Sequence, residues 1–370
     1  MLDSFFVENF RLFRRLEMAR LGQVNLLVGK NNSGKSALLE AIELYASNAS
    51  IRTLLSLILG REEEWNERNQ SGNQQMYDSP IRHLFRGHHF PALVESGIML
   101  GAGNKSSQQF HLRITVYQAE IDEEGEVRRK PLTLGEAITL EDEVEFWLTV
   151  IDENGIRRLI QSDKNFSFSR VRVPSSEREP KYPCQIVPTR NMTAHKIASL
   201  WDITGLSDAA TEVIAGLQII APSIVGIGFV EAASSSRIAR VPLVRTKDAS
   251  EPLPLKSMGD GMTRLFHLIV ALVNAKDGIL LIDEFENGLH WSVQPAVWKT
   301  IFRLATDLNV QVFATTHSRD CVSSFEEAWK EHPDAGAFFR LQLNSDGDAI
   351  AKSYALETLA DSLDTDVEVR

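Results

Sequence analysis

The chain has 370 residues, 43% of them apolar, enough to bury a large core arranged in two or three lobes. With 39 basic and 50 acidic side chains it carries a formal net charge of −11, which argues against a protein that coats nucleic acid with its whole surface but leaves room for a local basic groove. Two cysteines without metal-like spacing, the lack of a leader segment, and no apolar run near the ~20 residues that cross a bilayer predict a soluble protein of a reducing, cytoplasmic compartment.

In chain order, residues 4–10 are β-rich and 15–18 continue as a second strand. Val24-Asn25-Leu26-Leu27-Val28 reads as a short buried strand. It runs into Gly29-Lys30-Asn31-Asn32-Ser33-Gly34-Lys35-Ser36, a G-x-x-x-x-G-K-S phosphate loop, and then into a helix from Ala37 onward. The strand–loop–helix context gives the pattern its meaning. The glycines let successive backbone N–H groups turn toward phosphates, and the helix N-terminus adds its positive end. Lys35 would then reach the β- and γ-phosphates, and the Ser36 hydroxyl would hold Mg²⁺.

Residues 51–59 and 61–69 read as helical and 70–73 as a loop, so 51–108 is predicted to be a mainly helical insertion after an N-terminal unit, 1–50. It contains His83, His88 and His89. Their spacing matches no standard ligand set and no Cys or acidic ligand motif accompanies them, so no metal is predicted there. From 109 to 172 the apolar period becomes two: Phe110, Leu112, Ile114 and Val116, then Val144, Phe146, Leu148 and Val150. Turn signals at Gly125 and Asn154-Gly155 complete an antiparallel arm of hairpins, and 185–188 reads as a return strand closing the 109–190 unit. Residues 192–230 look mostly helical, and a hairpin pairs 238–245 with 251–255, so 191–256 is predicted as a helical lobe and hairpin. The basic clusters Arg128-Arg129-Lys130 and Arg157-Arg158 read as solvated faces and hairpin tips.

The remaining unit, 257–370, carries a second set of chemical signals. Ser257-Met258-Gly259-Asp260-Gly261 precedes a nearly apolar helix over 262–275, and a Gly-rich turn with a serine at a helix N-terminus suits a phosphate. Since one phosphate loop already exists, this turn makes most sense as a lid supplied to another subunit. Gly278-Ile279-Leu280-Leu281-Ile282 is a buried strand ending in Asp283-Glu284. Asp283 is placed to hold a Mg²⁺ shell and Glu284 to orient or deprotonate water. The strand at 310–316 ends in Thr315-Thr316-His317-Ser318, which puts His317 at the same sheet edge as Asp283. A closing hairpin pairs 337–343 with 349–354 around a turn at 344–348.

These motifs, in this order, together with Glu8-Asn9-Phe10-Arg11-Leu12-Phe13 and Asn287-Gly288-Leu289-His290, resemble the ABC-type ATPase head of the SMC/RecF and OLD-like branch, the bacterial "AAA family" ATPases. The resemblance covers nearly the whole of 1–370. It implies an α/β P-loop NTPase of ABC-ATPase type, with a mixed sheet, an antiparallel β arm and a helical lobe. It further implies ATP and Mg²⁺ as cofactors and a head-to-tail homodimer around two ATPs. By this resemblance Gly29, Asn31, Asn32, Ser33, Gly34, Lys35, Ser36 and Ala37 surround the phosphates, while Ser257 and Gly259 of the other subunit touch the γ-phosphate. Ser36 and Asp283 hold the metal, Glu284 is the catalytic base, Lys35 assists catalysis, His317 is the switch histidine, and 287–290 is the loop crossing the interface. For the metal-contacting glutamine of such heads, Gln185 and the turn 189–191 both remain candidates.

Two departures qualify the match. The signature reads Ser-Met-Gly-Asp-Gly in place of the transporters' Leu-Ser-Gly-Gly-Gln, and Asp260 is unhelpful beside a phosphate unless it points away or caps the helix. About fifty residues follow His317, too few for the Toprim nuclease domain of OLD nucleases. The implied function is a stand-alone ATPase switch that controls a separate effector, a nuclease or toxin, in anti-phage defence or a toxin–antitoxin-like system. The alternative is a RecF- or SMC-like DNA-binding ATPase of DNA repair, with Arg11, Arg14, Arg15 and Arg20 as its basic groove. Neither reading involves a membrane.

Overall fold

The chain starts as a hairpin of β1 (Phe5–Phe10) and β2 (Phe13–Met18), then crosses to a second sheet through β3 (Val24–Val28). The computed structural model describes residues 1–63, 79–91, 97–103, 108–121, 125–133, 144–161, 178–234 and 237–365. Helices α1 (Lys35–Ala46) and α2 (Ile51–Leu59) follow β3. The chain then returns to the first sheet with β4 (Ile98–Gly101), β5 (Gln109–Ile121), β6 (Val127–Pro131), β7 (Val144–Asp152) and β8 (Gly155–Gln161). This sheet is antiparallel in the order β2-β1-β4-β5-β7-β8, with β6 also on β5.

The second sheet is built later in the chain. Strand β9 (Cys184–Val187) leads into α3 (Ala194–Thr204) and α4 (Ala209–Leu217), then a small sheet of β10 (Ile224–Ser234), β11 (Arg237–Thr246) and β12 (Leu253–Pro254). Next come α5 (Asp260–Val273), β13 (Ile279–Ile282), α6 (Gln294–Asp307), β14 (Gln311–Thr316), α7 (Arg319–Glu331), the hairpin β15 (Gly336–Leu343) and β16 (Ala349–Tyr354), and α8 (Leu356–Asp364). The order is β16-β15-β3-β14-β13-β9, parallel throughout except for the edge strand β16.

Both faces of this parallel sheet are covered, which is why its strands read as unbroken apolar runs. Leu27, Ile279, Leu281, Phe313 and Phe339 face α1 and share a core with Leu38, Ile42 and Tyr45, backed by Phe5, Val7 and Phe110 of the antiparallel sheet. Leu26, Leu280, Ile282, Val312 and Ala314 face the other way, onto Leu265 and Ile269 of α5, Val297 and Trp298 of α6, and Phe325 of α7. The period of two thus assigns alternate residues to two cores. Helix α1 lies between the two sheets, so the loop preceding it is held from both sides.

Several expectations change. The strands of 109–161 do not stand apart as an arm: β5 pairs with β4, which pairs with β1, so they extend the N-terminal hairpin's sheet. The 51–108 insertion contributes β4 to that sheet. Its expected helix over 61–69 is a turn at 61–63, and the rest lies outside the described residues, as does 162–172 of the expected arm. Residues 224–234, read as part of a helical stretch, form β10. A register shift between Ile224 and Gly226 breaks the alternation that would have revealed it. The hairpin partner of 238–245 is chiefly β10, and only Leu243 and Val244 pair with β12.

Candidate functional site

Four strand ends converge at one edge of the parallel sheet: β3 into the phosphate loop, β13 into Asp283-Glu284, β14 into His317, and β9 into Thr189. The carboxyl ends of parallel strands are where such folds place ligands. Gly34, the N-cap of α1, has φ 101° in the left-handed region, and an added Cβ would meet the Phe13 ring at 2.8 Å. At Gly29 a Cβ would lie 2.5 Å from both Leu341 O and Ser33 Oγ. The backbone therefore fills the space a side chain would need. Lys35 Nζ donates to its own loop, to Gly29 O at 2.6 Å and Lys30 O at 3.1 Å. Burial lowers its pKa, opposed by the nearby carboxylates of Asp283, Glu284 and Glu286. Ser33 Oγ is buried and has no hydrogen-bond partner among the described residues.

Asp283 is the hub. The Ser36 hydroxyl lies 3.2 and 3.1 Å from its two carboxylate oxygens, Thr315 Oγ1 donates to Oδ1 at 2.7 Å, and Thr189 Oγ1 to Oδ2 at 3.1 Å. A hydroxyl and a carboxylate, the carboxylate oriented by two further hydroxyls, form the hard oxygen set that Mg²⁺ prefers. Glycine cradle, lysine and oxygen donors together fit a Mg²⁺–nucleotide phosphate group. The next residue, Glu284, has φ 50°, a left-handed conformation rare outside glycine. Its N–H donates to Thr315 Oγ1 at 2.9 Å, which fixes that bend. Its carboxylate is 4.0 Å from His317 Nδ1.

Three residues at this site were not singled out in the sequence. Glu286 accepts from the His317 N–H at 3.1 Å and lies 3.2 Å from its Nδ1, so it, more than Glu284, positions the histidine. Its other oxygen is buried without a partner among the described residues. Thr315 bridges Asp283 and Glu284. Arg264 of α5 is 1% exposed, and its Nη2 donates to the Asp283 and Glu284 carbonyls at 2.7 and 2.9 Å. Its Nη1 reaches Pro188 O at 2.6 Å and Asn191 Oδ1 at 3.3 Å. Burial pushes its pKa down to about 10, partly countered by Asp283, Glu286 and Glu284, so it stays charged at neutral pH. One signal existed for it: a guanidinium in an otherwise apolar helix must find several acceptors.

The structure separates the two glutamine-position candidates. Gln185 pairs in register with Leu280, well before the end of β13, whereas Thr189 touches Asp283 and its carbonyl accepts from Asn287 Nδ2 at 2.7 Å. Ser257 and Gly259 lie exposed at the start of α5, and among the described residues no hydrogen bond ties them to the phosphate loop of the same chain. Asp260 is the first residue of α5, where a negative charge suits the helix dipole. Gly288 of the 287–290 loop packs against this helix start, its carbonyl 2.8 Å from where a Gly261 Cβ would be. The N-terminal arginines are mostly neutralised. Arg11 is buried and paired with Glu40 and Glu63, Arg14 pairs with Asp348, and Arg15 with Glu8 and Glu17.

A family model described as "AAA ATPase domain" matches residues 1–134, and one described as "AAA domain, putative AbiEii toxin, Type IV TA system" matches residues 193–320. An "ATP/GTP phosphatase" of Helicobacter pylori is 23% identical over 356 residues, spanning 90% of this chain and 89% of that protein. An uncharacterized protein of Methanocaldococcus jannaschii is 37% identical over 78 residues, 21% of this chain and 35% of that one. Among solved structures, an SMC head bound to the C-terminal winged-helix domain of ScpA superposes with a TM-score of 0.51 at 11% identity, covering 96% of this chain and 98% of that one. The fold is that of an ABC-ATPase-type P-loop NTPase head. Among the described residues, no helix is long and apolar enough to cross a membrane.

Proposed function

We propose that this chain is a Mg²⁺-dependent ATPase that works as a molecular switch, closing as a homodimer around two ATPs and controlling a separate effector protein. The observation carrying this is the Ser36–Asp283 contact braced by Thr189 and Thr315, with Glu284 and His317 alongside. In this reading Gly29, Asn31, Asn32, Ser33, Gly34 and Ala37 line the phosphates through backbone N–H groups, and Lys35 exchanges its two loop carbonyls for phosphate oxygens. Ser36 and Asp283 hold the cation, whose chemistry when bound is to neutralise charge on the phosphates. Glu284 takes the proton of the attacking water, and His317, steadied by Glu286, faces the transferred group.

Ser257 and Gly259 serve the partner's nucleotide, an arrangement supported by their exposure beside the 287–290 loop. The relative named an ATP/GTP phosphatase supports hydrolysis. ATP is the favoured nucleotide because the chain has no N/T-K-x-D motif for reading guanine. The SMC head crystallised with a protein partner supports a head that passes its state to another chain. The toxin–antitoxin wording of the 193–320 match supports a toxin or nuclease effector in a defence setting.

Phosphate release by the purified chain tests the reading. Glu284→Gln should lose about 10²–10⁴ in turnover while still binding ATP. Lys35→Ala should lose nucleotide binding itself. Unimpaired hydrolysis by the glutamine variant removes Glu284 from its role, and normal ATP affinity without Lys35 contradicts the phosphate-loop assignment. The repair-type alternative loses its main support, because three of its four arginines are engaged with carboxylates.

A further inference from the structure

Three residues that the sequence gave no reason to combine meet on the far side of the β1–β2 turn. Glu63 lies in the turn after α2, His83 in the 3₁₀ turn Pro80–Leu84, and His88 just beyond. One ligand atom from each can be chosen so that all lie within 4.8 Å of one another. His83 Nδ1 and His88 Nδ1 are 3.2 Å apart, with the rings inclined at 58°. A tetrahedral ion with bonds of ~2.0–2.1 Å to nitrogen has ligand–ligand edges of about 3.3–3.4 Å, so the two nitrogens already stand at the spacing of a shared metal. His88 holds this place with φ 62°, next to Gly87 at 76°, and a left-handed histidine costs of order 1 kcal/mol.

The third group is prepared as well. Arg11, itself buried, pairs with the Glu63 carboxylate through Nη1 and donates from the same nitrogen to His83 O at 3.1 Å. A carboxylate offers about four acceptor sites, so this ion pair orients Glu63 and leaves capacity for a cation. His88 also lines an open cavity of about 840 Å³ with Asn9, Arg61, Arg86 and His89, which gives access for the ion and a further ligand.

We propose that Glu63, His83 and His88 bind a divalent transition-metal ion, Zn²⁺ in particular, at a site separate from the phosphate loop. Two imidazoles and one carboxylate are borderline donors suited to zinc and poor for Mg²⁺. The ion fastens the 79–91 segment to the end of α2. That segment already bonds the β1–β2 turn, through Arg11 N–H to Leu84 O at 2.9 Å and the bridge between Phe10 and Phe85. Leu12 and Phe13 of the same turn pack on Gly34. The metal therefore braces the outer wall of the nucleotide site without entering it.

The test uses the full chain, stripped of metal with a chelator and titrated with Zn²⁺ against a chromophoric competitor. A parallel titration with Co²⁺ reads the ligand-field bands. The expected result is one Zn²⁺ per chain, with affinity falling roughly 100-fold or more in His83→Ala and in His88→Ala. Ser36→Ala should leave both the Zn²⁺ stoichiometry and the Co²⁺ spectrum intact. His88 is exposed, so His88→Ala keeps its fold by circular dichroism, and that variant alone decides the matter if His83→Ala does not fold. Failure of the parent chain to bind Zn²⁺, unchanged affinity in His88→Ala, or loss of the Co²⁺ spectrum in Ser36→Ala overturns the proposal.

Discussion

Replacing Arg264 with methionine isolates the one side chain that ties the start of α5 to the catalytic strand end. Its two terminal nitrogens make four hydrogen bonds, three to backbone carbonyls and one to Asn191. Hydrogen bonds from a charged donor contribute ~1.5–3 kcal/mol each, and methionine fills the volume but leaves the acceptors without that donor. Part of the loss is offset, because burying the guanidinium is itself costly. A fall in pKa from 12.5 to about 10 corresponds to roughly 3 kcal/mol of disfavoured ionisation. The net destabilisation is therefore about 2–4 kcal/mol, read as a shift of the urea midpoint at unchanged slope. Turnover should fall about 10- to 100-fold, since the peptide at the Asp283–Glu284 bend loses the donor that fixes both its carbonyls. Nucleotide affinity should stay within about threefold, because none of the four contacts is to loop 29–36. Arg264→Lys restores charge but not the planar fork, and should recover less than half of either loss. Wild-type turnover in the methionine variant, or nucleotide affinity that collapses together with turnover, refutes this reasoning.

Thr315→Val keeps shape but strands the Glu284 N–H and removes a donor from Asp283. It should cost about 1–3 kcal/mol in stability and raise the Mg²⁺ concentration needed for half-maximal hydrolysis, which a Mg²⁺ titration measures. Glu43, on α1 beneath the phosphate loop, has its carboxyl pushed up to about 7 by burial and by Glu40, against the opposing charge of Lys196. Its neutral form is the one favoured on folding. Its contribution is thus complete below about pH 4.5, is lost as pH rises through about 7, and stays lost above that. Because Glu43 is only partly buried by accessible surface, roughly 2 kcal/mol is the scale expected. Glu43→Gln should flatten the stability profile between pH 4.5 and 7 and raise stability at pH 8, in urea unfolding series at each pH. A profile of unchanged slope in Glu43→Gln would assign the pH dependence to other groups.

What could be read from the sequence follows from where the chemistry sits in a parallel sheet. The phosphate loop, Asp283-Glu284 and His317 each follow directly on an apolar run, so strand and chemistry are neighbours in the chain and one pattern announces both. Thr189, Thr315 and Glu286 are also near strand ends, but they act through hydrogen bonds to other functional groups, and no local pattern reports such a partner. Glu63, His83 and His88 illustrate the same limit. His83 and His88 have no ligand spacing until a turn twenty residues upstream folds against them. The strand β10 escaped notice for a different reason: a one-residue register shift near its start puts the apolar positions out of phase.

Arg264 joins these two kinds of information. The start of α5 carries Ser257 and Gly259, legible as a phosphate-contacting turn but pointing to no partner within the chain. Four residues along the helix, about 6 Å at helical rise, Arg264 grips the carbonyls of Asp283 and Glu284. A helix is stiff over that distance, so anything that draws its first turn toward a second subunit's nucleotide also loads the bend that aims Glu284. If that lever operates, Arg264→Met should abolish any dependence of turnover on protein concentration at low micromolar levels, whereas a purely structural arginine would lower turnover equally at every concentration.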